Sequence, residues 1–379
     1  MIPALPLRRR LPLVAGLVLA ALLAACSSSP KGPAPAPLPS DPKLMGVRQV
    51  WEATLGKVDF PLVVQAAGPL VAVAASEGTV SLFDARTGES LWRVAVGTPL
   101  NAGVGHDGRT AAVVTVENEL VALQDGKELW RQRLTAPSYT PPLVAGARVF
   151  VLGADRSVSA YDGQSGRRLW NQSRTGEALV LRQPGVLMAV GDTLVAGLGG
   201  RLVGMHPLNG SSRWEQPLAN PRGTNDVERL VDLVAGVARE GSTVCVRSFQ
   251  ASVGCVDAAR GTLLWSKPAA GASGLSGDDR LVLGVEFDGS VLAWRRSDGE
   301  RAWSSNMLRY RKLTGPVLLG SAVVLGDDAG RLHVLSRADG ALQTRFETGN
   351  APIAATPVLA GNTLVVVTRA GRVLGLRPE

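Results

Sequence analysis

Six stretches of this chain place a tryptophan four residues after a glycine, and their spacing leaves few folds open. The pairs are Gly88/Trp92, Gly126/Trp130, Gly166/Trp170, Gly210/Trp214, Gly261/Trp265 and Gly299/Trp303. Gly340/Thr344 is a worn seventh copy, with Phe346 two residues on along the same strand face. From Gly88 to Gly340 there are 252 residues in six intervals, a mean of 42. That period belongs to a propeller blade.

Each unit carries a short apolar strand of nearly fixed form, from Gly78-Thr-Val-Ser-Leu-Phe83 and Arg156-Ser-Val-Ser-Ala-Tyr161 to Gly330-Arg-Leu-His-Val-Leu335 and Gly371-Arg-Val-Leu-Gly-Leu376, eight in all. A second apolar run precedes each one through a small-residue turn, so a unit offers about four strands. The eighth unit ends at Glu379 with no outer strand of its own. Trp51, in Val50-Trp-Glu-Ala-Thr-Leu55, supplies it from the other end of the chain. The fold expected is all-β: an eight-bladed propeller with four-stranded blades over residues 46–379, closed by pairing N- and C-terminal strands in one blade.

Trp51, Trp92, Trp130, Trp170, Trp214, Trp265 and Trp303 then face neighbouring blades as apolar spacers, because one fixed offset repeated around a ring serves packing rather than ligand binding. In three units the turn before the outer strand reads Asp-x-x-x-Gly, at Asp84, Asp162 and Asp257. There the carboxylate can accept a turn N–H and the glycine can take positive φ.

Residues 1–25 have the form of a signal peptide. Arg8-Arg-Arg10 is a charged n-region, and Leu11 to Leu23 is an apolar segment too short to span a bilayer comfortably. The Leu23-Ala-Ala-Cys26 that follows resembles a bacterial lipobox, which implies that Cys26 becomes a lipid-modified N-terminus. Ser27 after the cysteine favours the outer membrane by the same resemblance. Residues 26–45 then hold the modified cysteine and a Pro-rich tether, expected to reach roughly 60 Å.

Removal of the signal takes three arginines from a formal charge of +8, leaving +5. No basic groove interleaved with aromatics accompanies that excess, so nucleic acid is not an expected partner. His106, His206 and His333 fall in different units, none with a metal-ligating neighbour at suitable spacing, so neither metal nor cofactor is expected. Cys245 and Cys255 flank a hairpin on one sheet face, as adjacent buried thiols or as a cross-strand disulfide.

The whole pattern, from Cys26 through the Pro-rich segment and eight blades, resembles the BamB family of outer-membrane protein assembly factors. Two segments carry the resemblance beyond the repeats. Leu179-Val-Leu-Arg182 matches the family's Leu-x-Leu-Arg, implying that Leu179, Leu181 and Arg182 contact the periplasmic domains of BamA. The longest interval between tryptophans, 51 residues from Trp214 to Trp265, contains Asn225-Asp-Val-Glu-Arg-Leu-Val-Asp232. It resembles the family's Glu-x-x-Arg-Leu-x-Asp-x-Asp, placing Arg229, Leu230 and Asp232 in matching positions and Val234 at the second aspartate. Restoring aspartate at 234 is expected to be neutral or modestly strengthening for the partner.

The resemblance implies a non-catalytic scaffold, lipid-anchored at the periplasmic face of the outer membrane, that binds BamA and assists barrel folding and insertion. Unfolded outer-membrane barrel proteins are a second expected partner, added at exposed blade edges. Two alternatives stand beside it. A periplasmic quinoprotein-like enzyme shares the repeat but brings adjacent cysteines and a calcium ligand set. An envelope-anchored propeller for another partner would keep the anchor and change the surface.

Overall fold

The computed structural model describes residues 32–174 and 179–379; Cys26 and the signal segment lie outside the described residues. Eight four-stranded antiparallel sheets form the molecule. Seven are continuous in sequence: blade 1 (65–95), blade 2 (105–133), blade 3 (143–172), blade 4 (187–217), blade 5 (233–268), blade 6 (276–305) and blade 7 (317–347). Blade 8 takes three strands from 358–378 and its outer strand from Val47–Thr54. That strand runs in register with the last one, Val47 opposite Pro378 and Thr54 opposite Arg372. The innermost strands neighbour one another around the ring, and Val358–Ala360 returns to Gln65–Ala67 to close it.

The second and third strands of each blade are buried on both faces, as in Leu70–Ala74 and Thr79–Asp84, whereas outer strands such as Ser90–Ala95 alternate in exposure. This explains the unbroken Val, Leu and Ala runs: a strand sandwiched between two blades has no solvent face to fill with polar residues.

The glycine–tryptophan spacing has one cause at seven of the eight junctions. Each indole lies over the turn glycine of the next blade, Trp51 over Gly88, Trp130 over Gly166 and Trp265 over Gly299 among them. Five indole N–H groups donate to carbonyls of that same turn region, from Trp51 to Ala85 at 2.7 Å, Trp130 to Gly163 at 2.9 Å, Trp170 to Pro207 at 3.0 Å, Trp265 to Arg296 at 2.7 Å and Trp303 to Arg337 at 2.8 Å. A β-bulge immediately precedes the tryptophan position in every outer strand, skipping one residue. It increases the local twist and aims the ring at the next blade.

Thr344 occupies the indole position of blade 7, opposite Val334. At the junction with blade 8, Phe346, Met45 and Val47 pack together against Leu376 instead. The carboxylates of the Asp-x-x-x-Gly turns accept backbone N–H groups: Asp84 from Arg86 at 2.8 Å, Asp162 from Ser165 at 2.8 Å and Asp257 from Ala259 at 3.0 Å. Cys245 and Cys255 are directly opposed across their hairpin, fully buried, with Cα atoms 3.9 Å apart and their sulfurs at bonding distance.

The free tether expected over 26–45 is, from Ala36 onward, laid against the ring. Ala36 N donates to Arg309 O at 3.0 Å and Leu44 N to Gln343 O at 2.8 Å. Leu38 packs into the core between blades 6 and 7. Backbone hydrogen bonds and the packed Leu38 outweigh the preference of a Pro-rich segment for solvent, a feature that composition does not report.

Candidate partner-binding site on the loop face

Antiparallel order puts the connections between blades, and the turns between second and third strands, on one side of the ring. Residues 173–186 join blades 3 and 4, and residues 218–232 join blades 4 and 5, so both motif segments share this loop face. They also touch. The Asp232 carboxylate accepts the Leu181 N–H at 2.9 Å across 51 residues of sequence.

Arg156, at the tip of a blade 3 hairpin, holds the same group. Its guanidinium lies 3.5 Å from Asp232, with both side chains largely buried, and donates to Leu179 O at 3.2 Å. Pro184 O accepts the Ala235 N–H at 2.8 Å, and Gly185 N donates to the Thr140 hydroxyl at 2.9 Å. The segment from Leu181 to Gly185 is therefore fixed at several points. Rigid display of this kind lowers the ordering cost of binding a partner.

Beyond these anchors, Leu179 and Arg182 are exposed. The Arg182 guanidinium sits 5.6 Å from the centre of the Tyr139 ring, a cation–π contact that orients the charge without neutralising it. Arg229 and Leu230 are half-buried and lead into buried Val231. They follow a tight polar turn in which Thr224 N donates to Glu228 at 2.9 Å and Glu228 N to Asn225 at 2.9 Å. Leu230 lines a neighbouring cleft with Arg222, Glu228 and Phe249. The structure thus gathers Leu179, Leu181, Arg182 and Asp232, and sets Arg229 and Leu230 beside them.

Two residues of this cluster escape the sequence motifs, Arg156 and Tyr139. Arg156 does leave a signal. Its position in the repeat is glycine at Gly78, Gly289, Gly330 and Gly371, all with positive φ, and Arg156 itself has φ of 62°. A bulky residue in the left-handed region is costly and persists where contacts hold it. Here those contacts are with Asp232 and Leu179.

Val234 lies in the first strand of blade 5. It is buried, opposite Arg247 in one register and bridged to Gly185 on its other side. Arg247 is fully buried, its charge met by Glu286 at 3.0 Å. An aspartate at 234 would put a carboxylate at a buried position beside the same cleft as Leu181 and Asp232, so the substitution bears on stability as well as on partner affinity.

The histidines serve local structure. His106 bonds Gln65 O at 2.9 Å, with burial holding its imidazole below the ordinary value. His206 accepts from Leu208 N at 3.2 Å. His333 contacts Asp327 at 3.0 Å with both side chains fully buried, a carboxylate partner that the spacing did not predict. Among the described residues no group of three His, Cys, Asp or Glu is placed to hold a metal ion.

The family model described as outer membrane protein assembly factor BamB matches residues 76–305. The outer membrane protein assembly factor BamB of Burkholderia pseudomallei (strain K96243) is 39% identical over 363 residues, covering 94% of this chain and 95% of the relative. The chain belongs to the BamB family. The BamB of Bordetella pertussis is 34% identical over 339 residues, 88% of this chain and 87% of the relative. The crystal structure of BamB from Moraxella catarrhalis superposes with a TM-score of 0.79 at 22% identity, covering 88% of this chain and all of that one. The quinohemoprotein alcohol dehydrogenase of Comamonas testosteroni shares the fold with a TM-score of 0.66 at 15% identity. Membership of the BamB family makes this chain an outer-membrane assembly factor by type and associates it with that membrane.

Proposed function

We propose that the chain is a non-catalytic scaffold of the barrel-assembly complex, anchored through a lipid on Cys26 at the periplasmic face of the outer membrane, that binds the periplasmic domains of BamA. Leu179, Leu181 and Arg182 make the contact. Asp232 and Arg156 position them, and Arg229 with Leu230 borders the surface. One observation carries this reading: segments 51 residues apart in sequence converge on one carboxylate and leave an arginine and a leucine exposed above it. The second attachment raises the effective concentration of barrel machinery and scaffold for one another, which is how a chain that does no chemistry assists folding and insertion. Unfolded barrel strands are a further partner, added at outer strands of the blades.

Calorimetry of the purified ring against isolated BamA periplasmic domains tests the contact. Arg182→Glu is expected to cost about 2 kcal/mol or more, roughly a thirtyfold loss of affinity, as for an anchor arginine in an interface. Circular dichroism should be unchanged. Equal affinity removes this face from the interface, and a wild-type ring that fails to bind transfers the scaffold to another envelope partner.

A further inference from the structure

The N-terminal segment forms a strap along the outer edge of blade 7. Near its far end Leu44 N donates to Gln343 O at 2.8 Å, and in the middle the Asp41 carboxylate accepts the Arg345 N–H at 3.3 Å. The Arg345 guanidinium also donates to Pro39 O. At the loop face Ala36 is clasped from both sides, donating to Arg309 O and accepting from the Arg311 guanidinium. Arg311 is itself nearly buried, 3.8 Å from the fully buried Asp327 that also binds His333. The clasp therefore rests on the core of blade 7, and its charge partner cannot swing away.

Gln343 and Arg345 belong to an outer strand that runs from the turn side of the ring toward the loop face. The strap lies alongside in the opposite direction, so its first anchored residue stands at the loop face.

We propose that this strap fixes where the lipid leash leaves the ring, and so turns the loop face carrying Leu181 and Asp232 toward the membrane. The inference rests on Cys26 as the anchor. From Cys26 to Ala36 is ten residues, which reach at most about 36 Å fully extended. With the strap undocked the leash would run to Gly46, twenty residues and about 72 Å, from the opposite side of the ring. Docking halves the reach and selects the face. A partner bound at Leu181 and Asp232 then lies on the side of the ring that faces the membrane.

The test uses the full-length lipidated protein on phosphatidylethanolamine–phosphatidylglycerol vesicles carrying a headgroup acceptor dye. A donor is attached at Lys312→Cys in the loop-face connection leading into blade 7, or at Ala338→Cys on the opposite face of blade 7; Cys245 and Cys255 are fully buried and do not compete. Energy transfer to the membrane is expected to be higher from position 312. Leu38→Asp combined with Asp41→Ala should abolish the difference while vesicle association persists. Equal or greater transfer from position 338 overturns the orientation. Protein that does not float with vesicles fails earlier and separately, because it overturns Cys26 as the anchor and the orientation with it.

Discussion

The turn glycines and indoles work as pairs, and their two demands can be separated. Gly166 has φ of 70° and lies under Trp130, where an added Cβ would stand 2.6 Å from the ring. Gly146, in the same blade, has φ of 58° and open space around it. Gly146→Ala should cost only the strain of a left-handed backbone, about 1 kcal/mol, whereas Gly166→Ala also displaces the indole and should lose a further 1–3 kcal/mol or so. Denaturant midpoints of the two variants measure the difference, and equal costs would mean that the indole yields freely. A charge at the equivalent turn of blade 1 has its own signature. The Arg86 guanidinium and backbone N–H hold the Asp84 carboxyl at about 2, below its ordinary 3.8. A depressed carboxylate stabilises the fold above its unfolded pKa, and this contribution disappears as pH falls through the folded one. Thermal midpoints should therefore fall between about pH 4 and pH 2, less steeply in Asp84→Asn, and parallel curves would assign the acid loss to other carboxylates.

At the scale of the element, the decisive strand is Val47–Thr54. It pairs along most of its length with the last strand and carries Trp51, whose indole covers Gly88 of blade 1. Its loss removes a blade's outer edge and a junction together, and a buried tryptophan alone is worth about 3–5 kcal/mol. A chain lacking residues 47–54 should unfold at much lower denaturant or fail to fold, although the deletion is close to a terminus. Retention of the parent's midpoint would mean that the ring is held without this strand. The junction between blades 7 and 8 has no indole and relies on Phe346, Met45 and Val47, so the chain's own entry segment seals the one place where the repeat pattern lapses.

For the whole molecule, the ring matters because it brings sequence-distant connections onto one face. Arg156→Gly examines that directly. Glycine is the residue used by four sister blades, so the backbone is relieved and the unfolding midpoint should stay close to the parent's or rise slightly. The Leu179 and Asp232 contacts are lost, and affinity for BamA periplasmic domains should fall severalfold because the segment must be ordered on binding. Unchanged affinity would show that Asp232 alone positions Leu181. A drop in ring stability would place Arg156 among the structural residues instead.

Blade number, the four-strand unit and closure by Trp51 were legible in the sequence because they are periodic: each blade repeats the same local demands, and a missing outer strand at one terminus is completed by a lone one at the other. The two candidate segments were legible as resembling motifs, and Arg156 left a trace as a bulky residue at a glycine position. That Asp232 and Leu179 to Arg182 share one face followed from their place in successive units, but tertiary structure alone decided that the Asp232 carboxylate takes the Leu181 N–H, that Arg182 rests on Tyr139, that Val234 is buried and that Ala36 is clasped at the loop face. These contacts join residues tens to hundreds of positions apart, and their existence depends on how the ring curves and which strand edges it leaves free. The repeat specifies the contacts that recur at each junction, the indole on the next glycine, but not the single contacts that its non-repeating residues make.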